Sequence, residues 1–345
     1  MNQRGAVVTF YSYKGGVGRT LAVANIGSIL ADSVRPSGGR VLLVDFDLEA
    51  PGLNVFFAEG IPPAQRNGPG VVEYFGGLAN RFASAPARYA EVLENRPAID
   101  TLLSLDSFIQ ADVLPGLDLM PSNPGGSEYR RRVAEFDWSM FWLKYPAAIH
   151  AFRESLERRY RFVLIDSRTG YGDVSGLCSA ILPEKLVIVV SLNRQNLEGA
   201  IDIARRSVRF REKSDDIRPL AIYPLAGRVD TESEVKEHEN WLRQFEEAFE
   251  VCFREIYGDP ECRLENYFDN YFIPYSRYYS YGEKLVRLHE ESSRPGSIRR
   301  AYEDFSRLLA RSEYPWQPES EWPPEQRVLP ITAHAQVIPP TPRQE

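Results

Sequence analysis

The stretch "FYSYKGGVGRTLAVAN", residues 10–25, joins two apolar runs through a glycine-rich turn. The run that enters it, AVVTFY (6–11), is short, β-branched and aromatic, which is typical of a buried strand. The run that leaves it, TLAVANIGSILADS (20–33), has apolar residues at three- and four-residue spacing and predicts a helix. Such a turn lets backbone N–H groups converge on a phosphate, and the helix N-terminus adds a favourable dipole. The stretch therefore predicts a phosphate-binding loop.

Four further strand-like runs alternate with helix-like runs along the chain. The strand-like runs are 40–47, 161–166, 185–192 and 219–225. The helix-like segments fall around 78–95, 139–159, 195–213, 232–250 and 296–311. Near-continuous apolar strands alternating with helices predict an α/β fold, a doubly wound and mostly parallel sheet with helices on both faces. Ligands of such sheets bind beyond the carboxyl ends of the strands, where the glycine-rich turn and the acids that end 40–47 and 161–166 lie.

We interpret residues 1–312 as one domain, in which the turn-rich stretch 55–138 is an elaboration and not a second domain. Residues 313–345 form a proline-rich tail whose composition, without apolar periodicity, is typical of extended or disordered chain. Two tryptophans among its prolines, Trp316 and Trp322, leave a docking segment open as an alternative to a plain disordered tail.

The net charge, the cysteines and the lengths of the apolar runs argue against several classes of protein. The 345 residues carry a formal net charge of −7, which argues against a whole-surface nucleic-acid binder but leaves a local basic patch open. Three widely spaced cysteines without CxxC spacing predict neither a disulfide framework nor a zinc or iron–sulfur site, and they suit a reducing cytoplasm. No apolar stretch has the length of a signal-peptide core or a membrane span. We therefore expect a cytoplasmic protein that does not attach to membranes.

The glycine-rich turn departs from the ordinary P-loop pattern G-x-x-x-x-G-K-[ST] at two positions, because Tyr13 stands at the first glycine and Arg19 at the lysine. KGGVGRT (14–20) instead resembles the deviant Walker A motif of the ParA/MinD family of P-loop ATPases, which has the form KGGxGK[ST]. The resemblance implies that Lys14 reaches across an ATP-bridged homodimer to the partner's phosphates, as a cation acting in trans. It also implies phosphate contacts from Gly15, Gly16, Val17, Gly18, Arg19 and Thr20.

Three further stretches resemble motifs of the same family in the same order. VLLVDFDLEAPGL (41–53) is similar to its D-x-D motif, which implies that Asp47 polarises the attacking water and that Asp45 supports a switch region. FVLIDSRTG (162–170) resembles its Walker B strand, which implies that Asp166 and Thr20 serve the Mg²⁺ ion of bound ATP. FIPYSRYYSYGEKLV (272–286) resembles the segment that covers the adenine, and this assigns Pro274 to the base.

Arg19 keeps the positive charge of the usual lysine but is bulkier, so we expect ATP binding with slow turnover. The pair KGGVGR and DLEAPGL is similar to a distinct branch of the family, some of whose members are linked to bacterial conflict or signalling systems. The leading hypothesis is a weak ATPase that acts as an ATP-dependent homodimer switch for an unknown protein partner. A nucleotide-gated binding module that hydrolyses little or nothing, and a partitioning ATPase, stay open as alternatives.

Several residues have a structural interpretation beside the functional one. Arg19 could be a neutral replacement for lysine, and Asp45 could act through the loop and not in the chemistry. The aromatic run 267–281 could pack in the core or contact a base, and the arginines of 205–213 could form a nucleic-acid face or a solvated helix face.

Overall fold

The sheet has eight strands in the order β3-β4-β2-β5-β1-β6-β7-β8. The computed structural model describes residues 4–122, 126–170, 176–214, 218–231, 235–290, 296–311 and 314. The strands are β1 (Ala6–Tyr11), β2 (Val41–Phe46), β3 (Gln110–Leu114), β4 (Leu117–Met120), β5 (Phe162–Ser167), β6 (Lys185–Val190), β7 (Ala221–Val229) and β8 (Phe272–Pro274). Every neighbouring pair is parallel except β3 with β4, which form an antiparallel edge.

Nine helices of seven or more residues are found in the described part of the chain. They are α1 (Arg19–Val34), α2 (Val71–Ser84), α3 (Pro86–Glu94), α4 (Gly126–Glu135), α5 (Trp138–Lys144), α6 (Pro146–Arg159), α7 (Arg194–Glu212), α8 (Val235–Tyr257) and α9 (Ile298–Ala310). Shorter helical turns include Leu53–Phe56 after β2 and a π-helical turn, Leu177–Ile181, after β5.

Apolar side chains cover both faces of the sheet. On β2, Leu43 points into the core beneath α1, α7, α8 and α9, while Leu42 and Val44 point into the core beneath α2 to α6. Strand side chains alternate between faces, so a strand buried on both sides needs an unbroken apolar run. This confirms the doubly wound α/β fold that the sequence predicts.

Several predicted elements differ from the observed ones. The segment 139–159 is two helices, α5 and α6, because Pro146 lacks the N–H that a helix interior requires and instead begins α6. Pro86 likewise divides the 78–95 segment into α2 and α3. Strand 219–225 continues to Val229, and the strand β3 was not foreseen.

The stretch 55–138 adds β3 and β4 to the edge of the same sheet, so it shares the sheet with the rest of the chain. Residues 315–345, the greater part of the predicted tail, lie outside the described residues. Tyr314 lies against Tyr257 at the end of α8, with ring centroids 5.2 Å apart. Among the helices described, none is both long and apolar enough to cross a bilayer.

Candidate functional site

The glycine-rich loop and the acidic residues meet at the carboxyl ends of the three central strands. Asp45 lies opposite Asp166 across β2 and β5, and Asp166 lies opposite Phe10 across β5 and β1. The loop follows β1, and α1 begins at Arg19. Its backbone needs glycine at position 18, where φ is 89°, in the left-handed region that side chains disfavour. The structure thus brings together the loop and both acidic motifs that the sequence singled out.

Two adjoining cavities border this loop. The first, which we call the loop cavity, has a volume of about 490 Å³ and includes Ser12, Gly15, Gly16, Val17, Gly18, Arg19, Thr20 and Asp47 in its lining. The second, the side cavity, has a volume of about 390 Å³ and includes Val17, Pro51, Pro274, Tyr275, Tyr279 and Tyr302 in its lining. Val17, Gly18, Thr20, Leu21 and Arg228 line both. Both volumes lie in the range of small-molecule sites.

Arg19 is buried and turned toward the acids. Its Nε donates to Oδ1 of Asp166, and its Nη2 donates to Oδ2 of Asp47 at 2.7 Å. Its Nη1 donates to the hydroxyl of Ser12 at 3.2 Å. The side chain is only 6% exposed. The sequence assigned this guanidinium to phosphate, and in the structure it bridges the two acidic motifs.

Burial and neighbouring charge shift the pKa values of these groups in opposing ways. Burial alone would lower the pKa of Arg19, but the carboxylates of Asp166 and Asp47 outweigh it and raise that pKa above its ordinary value. Burial raises the pKa of Asp166, although Arg19 and Thr20 oppose the shift. Burial also raises the pKa of Asp45 well above its ordinary value, and the nearby charge of Asp166 adds to the effect.

Asp45 fixes the backbone that follows β2. Its carboxylate accepts from the amide of Asp47 at 3.1 Å and from the amides of Gly52 and Leu53 at 3.2 Å. Its own carbonyl oxygen accepts from the Ser122 hydroxyl at 2.6 Å. These bonds favour the structural interpretation of Asp45, because its carboxylate is engaged by the loop that carries Asp47.

Asp166 and Thr20 offer oxygen atoms suited to a hard cation. Oδ2 of Asp166 is buried and has no hydrogen-bond partner. Thr20 lines the loop cavity as the second residue of α1. No three His, Cys, Asp or Glu side chains cluster as a ready-made metal site within the described ranges. A Mg²⁺ ion here would therefore draw most of its ligands from phosphate and water, as is usual for nucleotide-bound magnesium.

Lys14 is exposed at the front of the loop, where its Nζ donates to Oε1 of Gln195 in the first turn of α7. Next to it, the ring of Tyr13 packs on Gly199 of the same helix. A Cβ at position 199 would lie 2.3 Å from the ring. Only glycine fits under this ring, and α7 therefore holds the residues that precede the loop.

Arg228 is a residue of this site that sequence reasoning missed. It lies near the end of β7, it is exposed, and it lines both cavities. Its Nη1 donates to the carbonyl oxygen of Gly16 at 3.0 Å. The available signal was the sequence GRVD (227–230), one residue after the predicted strand 219–225, since charged residues at the carboxyl ends of parallel strands face the ligand side of the sheet.

The basic and aromatic segments that the sequence left open have structural partners. Arg205 and Arg209 of α7 pair with Glu255, and the buried Arg211 donates to backbone carbonyls near the π-helical turn. In the aromatic run, Tyr267, Phe268 and Tyr279 are buried. Tyr275, Tyr278 and Tyr281 are exposed. The segment therefore combines core packing with exposed rings, and Tyr275 and Tyr279 line the side cavity.

Comparison with solved structures identifies the fold. The chain is similar to a variant of McdA from Cyanothece in complex with ATP, with a TM-score of 0.57 and 14% identity over 89% of this chain and 97% of that one. MinD from Pyrococcus horikoshii in complex with Mg-ADP gives 0.55 and 15%, over 88% and 96%. MinD in the MinC:MinD complex of Aquifex aeolicus gives 0.51 and 20%, over 88% and 96%.

The chain thus has the fold of the ParA/MinD-type P-loop ATPases. No protein-family model matches the sequence, and no curated protein does.

Proposed function

From this fold and from the residues at its ligand edge, we propose that the chain is a ParA/MinD-type protein that binds ATP with Mg²⁺. We further propose that it hydrolyses ATP slowly and acts as an ATP-dependent homodimer switch on a protein partner. The observation that carries the proposal is that the glycine-rich loop and Asp47 line one cavity, where Arg19 joins Asp47 to the buried Asp166. The solved structures with the same fold include an ATP complex, an Mg-ADP complex and a complex with a partner protein.

The two cavities divide the nucleotide between them. The loop cavity takes the phosphates, since Gly15 to Thr20 line it at the N-terminus of α1, where helices favour anions. The side cavity takes the base, between the wall at Pro274 and the tyrosines of its rim. Thr20 and Asp166 hold the Mg²⁺ shell, and the ion neutralises phosphate charge when it is bound.

Arg19 explains why turnover is slow under this proposal. Asp47 is the residue assigned to polarise the attacking water, and its Oδ2 is held by the Arg19 guanidinium. A carboxylate oxygen that accepts from a guanidinium is less available to accept from the attacking water and to orient it. The same contact favours the second candidate function, a nucleotide-gated binding module with little or no hydrolysis.

The experiment that tests nucleotide and metal binding is titration of ATP into the full chain by calorimetry, in Mg²⁺ and in EDTA. We expect ATP to bind more tightly in Mg²⁺, and we expect Thr20→Ala to weaken binding in Mg²⁺ far more than in EDTA, because only the metal-bound complex uses the hydroxyl. Ser33→Ala, an exposed hydroxyl at the other end of α1, is the matched control. Equal losses in both buffers would contradict the metal assignment, and no ATP binding by the parent chain would contradict the proposed function.

A further inference from the structure

The loop cavity is lined or approached by four cations, and three of them are already engaged. Arg19 bridges Asp47 and Asp166. Arg168 pairs with Glu49 at 2.9 Å. Lys14 is bound to the amide oxygen of Gln195. The fourth cation is Arg228, for which no carboxylate partner is found among the residues that the structure describes.

The position of Arg228 is set by its backbone and by the loop beneath it. Its φ of 56° is in the left-handed region, which a long side chain rarely adopts. Its Cγ lies against Gly18, where a Cβ would come within 3.3 Å. The Arg228 side chain therefore crosses the loop over Gly18, which has no side chain to block it. In this position it borders both the loop cavity and the side cavity.

Among the residues that the structure describes, the guanidinium of Arg228 contacts only neutral groups. Its Nη1 donates to the Gly16 carbonyl at 3.0 Å, its Nη2 lies 3.5 Å from the Ser280 hydroxyl, and its guanidinium carbon lies 5.4 Å from the centre of the Tyr275 ring. Hydrogen bonds between a guanidinium and an anionic oxygen are roughly twice as strong as those with neutral acceptors. A phosphate that enters the loop cavity can therefore draw this side chain from its present partners, whereas Arg19 would have to leave two carboxylates.

We propose that Arg228 is the cation that binds the phosphate chain of the nucleotide from within the same subunit, in the place of the P-loop lysine that Arg19 has replaced. The positive charge at position 19 is retained, but Arg19 pairs with Asp47 and Asp166. The cation that binds the phosphates is then Arg228, near the end of β7. This inference rests on the proposed function, because it assumes that a nucleoside phosphate occupies the two cavities.

The test compares adenosine, AMP, ADP and ATP as ligands of the parent chain, Arg228→Gln and Arg228→Lys, by calorimetry or by ligand-observed NMR for the weak ones. We expect Arg228→Gln to bind ADP and ATP on the order of tenfold to a hundredfold more weakly, the range expected for one hydrogen bond to a charged group. Adenosine should bind all three proteins alike. Arg228→Lys should recover part of the loss. Arg277→Gln is the matched control, since this exposed arginine follows β8, near Tyr275, and lines neither cavity.

A second measurement is the dependence of ATP affinity on salt concentration. This dependence should be weaker in Arg228→Gln, because one ionic contact with the phosphates is lost. Unchanged ADP and ATP affinity in Arg228→Gln, in a parent chain that binds ATP, would overturn this inference and leave the proposed function standing. An equal loss for adenosine and ATP would also overturn it, because it would assign Arg228 to the base. A parent chain that binds none of the four ligands would instead refute the proposed function.

Discussion

The Arg19 guanidinium is a permanent cation between two carboxylates, in a place that water scarcely reaches. Asp166 is fully buried, and Arg19 itself is 6% exposed. Removing one partner from such a pair leaves an uncompensated buried charge, which costs far more than the pair contributes in net stability. The arginine is thus as much a part of the folded core as it is a part of the loop.

We expect Arg19→Met to lower the free energy of unfolding by about 3–5 kcal/mol at neutral pH, the usual cost of breaking a buried ion pair. The loss should shrink as the pH falls, because protonation of Asp166 removes the uncompensated charge. Urea denaturation between pH 5 and pH 8 measures both effects. Arg194→Met, which removes an exposed pair with Glu198, should leave the free energy of unfolding almost unchanged. Equal stability of the two variants would show that Arg19 is not a structural counter-ion.

Asp45 also predicts a pH dependence of stability. Its cause is a pKa raised by burial, and not the loss of an ion pair as in Arg19→Met. Burial raises its pKa above the unfolded value, so the folded state binds the extra proton between the two values. Its contribution to stability is complete below the unfolded pKa and is lost as the pH rises through the folded pKa. We therefore expect Asp45→Asn to gain stability relative to the parent chain as the pH rises from about 4 toward neutral, measured by urea denaturation.

Asp112→Asn is the matched control for that experiment. The hydrogen bond from Arg40 lowers the pKa of Asp112, so its contribution is present above the unfolded pKa and is lost as the pH falls. The Asp112→Asn variant should therefore gain stability relative to the parent chain as the pH falls. This is the reverse of the trend expected for Asp45→Asn. Parallel pH profiles for Asp45→Asn and the parent chain would show that Asp45 carries no raised pKa.

At the scale of elements, α1 is tied to the late segment that borders the side cavity. The buried Asn25 side chain donates to the Leu21 carbonyl at 2.9 Å and accepts from the Val286 amide at 2.7 Å. A single side chain thus links the helix that carries the loop to the segment that follows the tyrosine run. Sequence periodicity placed Asn25 on this helix but could not reveal a partner 261 residues away.

We expect Asn25→Leu to lower the free energy of unfolding by about 1–3 kcal/mol, because the Val286 amide is left buried without an acceptor. Nucleotide affinity should fall with it, since the late segment that ends at Val286 supplies part of the side-cavity wall. Thermal unfolding and ATP titration of the same sample measure the two. Ser33→Ala, whose hydroxyl bonds only within α1, is the control for stability. A variant as stable as the parent chain would contradict this link.

Helix and strand types were predictable wherever a long apolar period ran uninterrupted, as in β1 and α7. The errors have local causes. A proline divided each of two helical patterns, and the short antiparallel strand β3 has only five residues and two exposed positions, too few to show an apolar run. The extension of β7 to Val229 was hidden by Gly227 and Arg228, residues that are uncommon in strands.

At the scale of the whole molecule, the order of the motifs was enough to gather the candidate site, because parallel strands deliver their carboxyl ends to one edge. Lys14, Arg19, Asp45, Asp47 and Asp166 meet there as the sequence indicated. What the sequence could not supply is how charges pair within that edge. The pairing of Arg19 with the carboxylates and of Lys14 with Gln195 depends on side-chain rotamers. The pattern of a single sequence carries no information on side-chain rotamers.

The remaining prediction concerns two copies of the chain. Lys14 is exposed and held in its own subunit by one neutral acceptor, so it is available to a second copy at little cost. We expect Lys14→Ala to leave ATP binding to the single chain largely intact while it abolishes ATP-dependent dimerisation. Any hydrolysis should fall by roughly 10³-fold or more, as for other cations that act in trans on phosphoryl transfer. Analytical ultracentrifugation with ATP and with a slowly hydrolysed analogue measures the fraction of dimer.

Two further variants separate a role in trans from a role within one subunit. Gln195→Ala removes the acceptor that holds Lys14, so it should strengthen the ATP-dependent dimer and leave ATP binding to the single chain unchanged. Asp47→Ala removes the carboxylate assigned to the attacking water but no predicted phosphate contact, so it should trap the ATP-bound dimer. If Lys14→Ala still dimerises with ATP and hydrolyses it at the parent rate, the lysine does not act across the interface, and the homodimer switch fails for this chain.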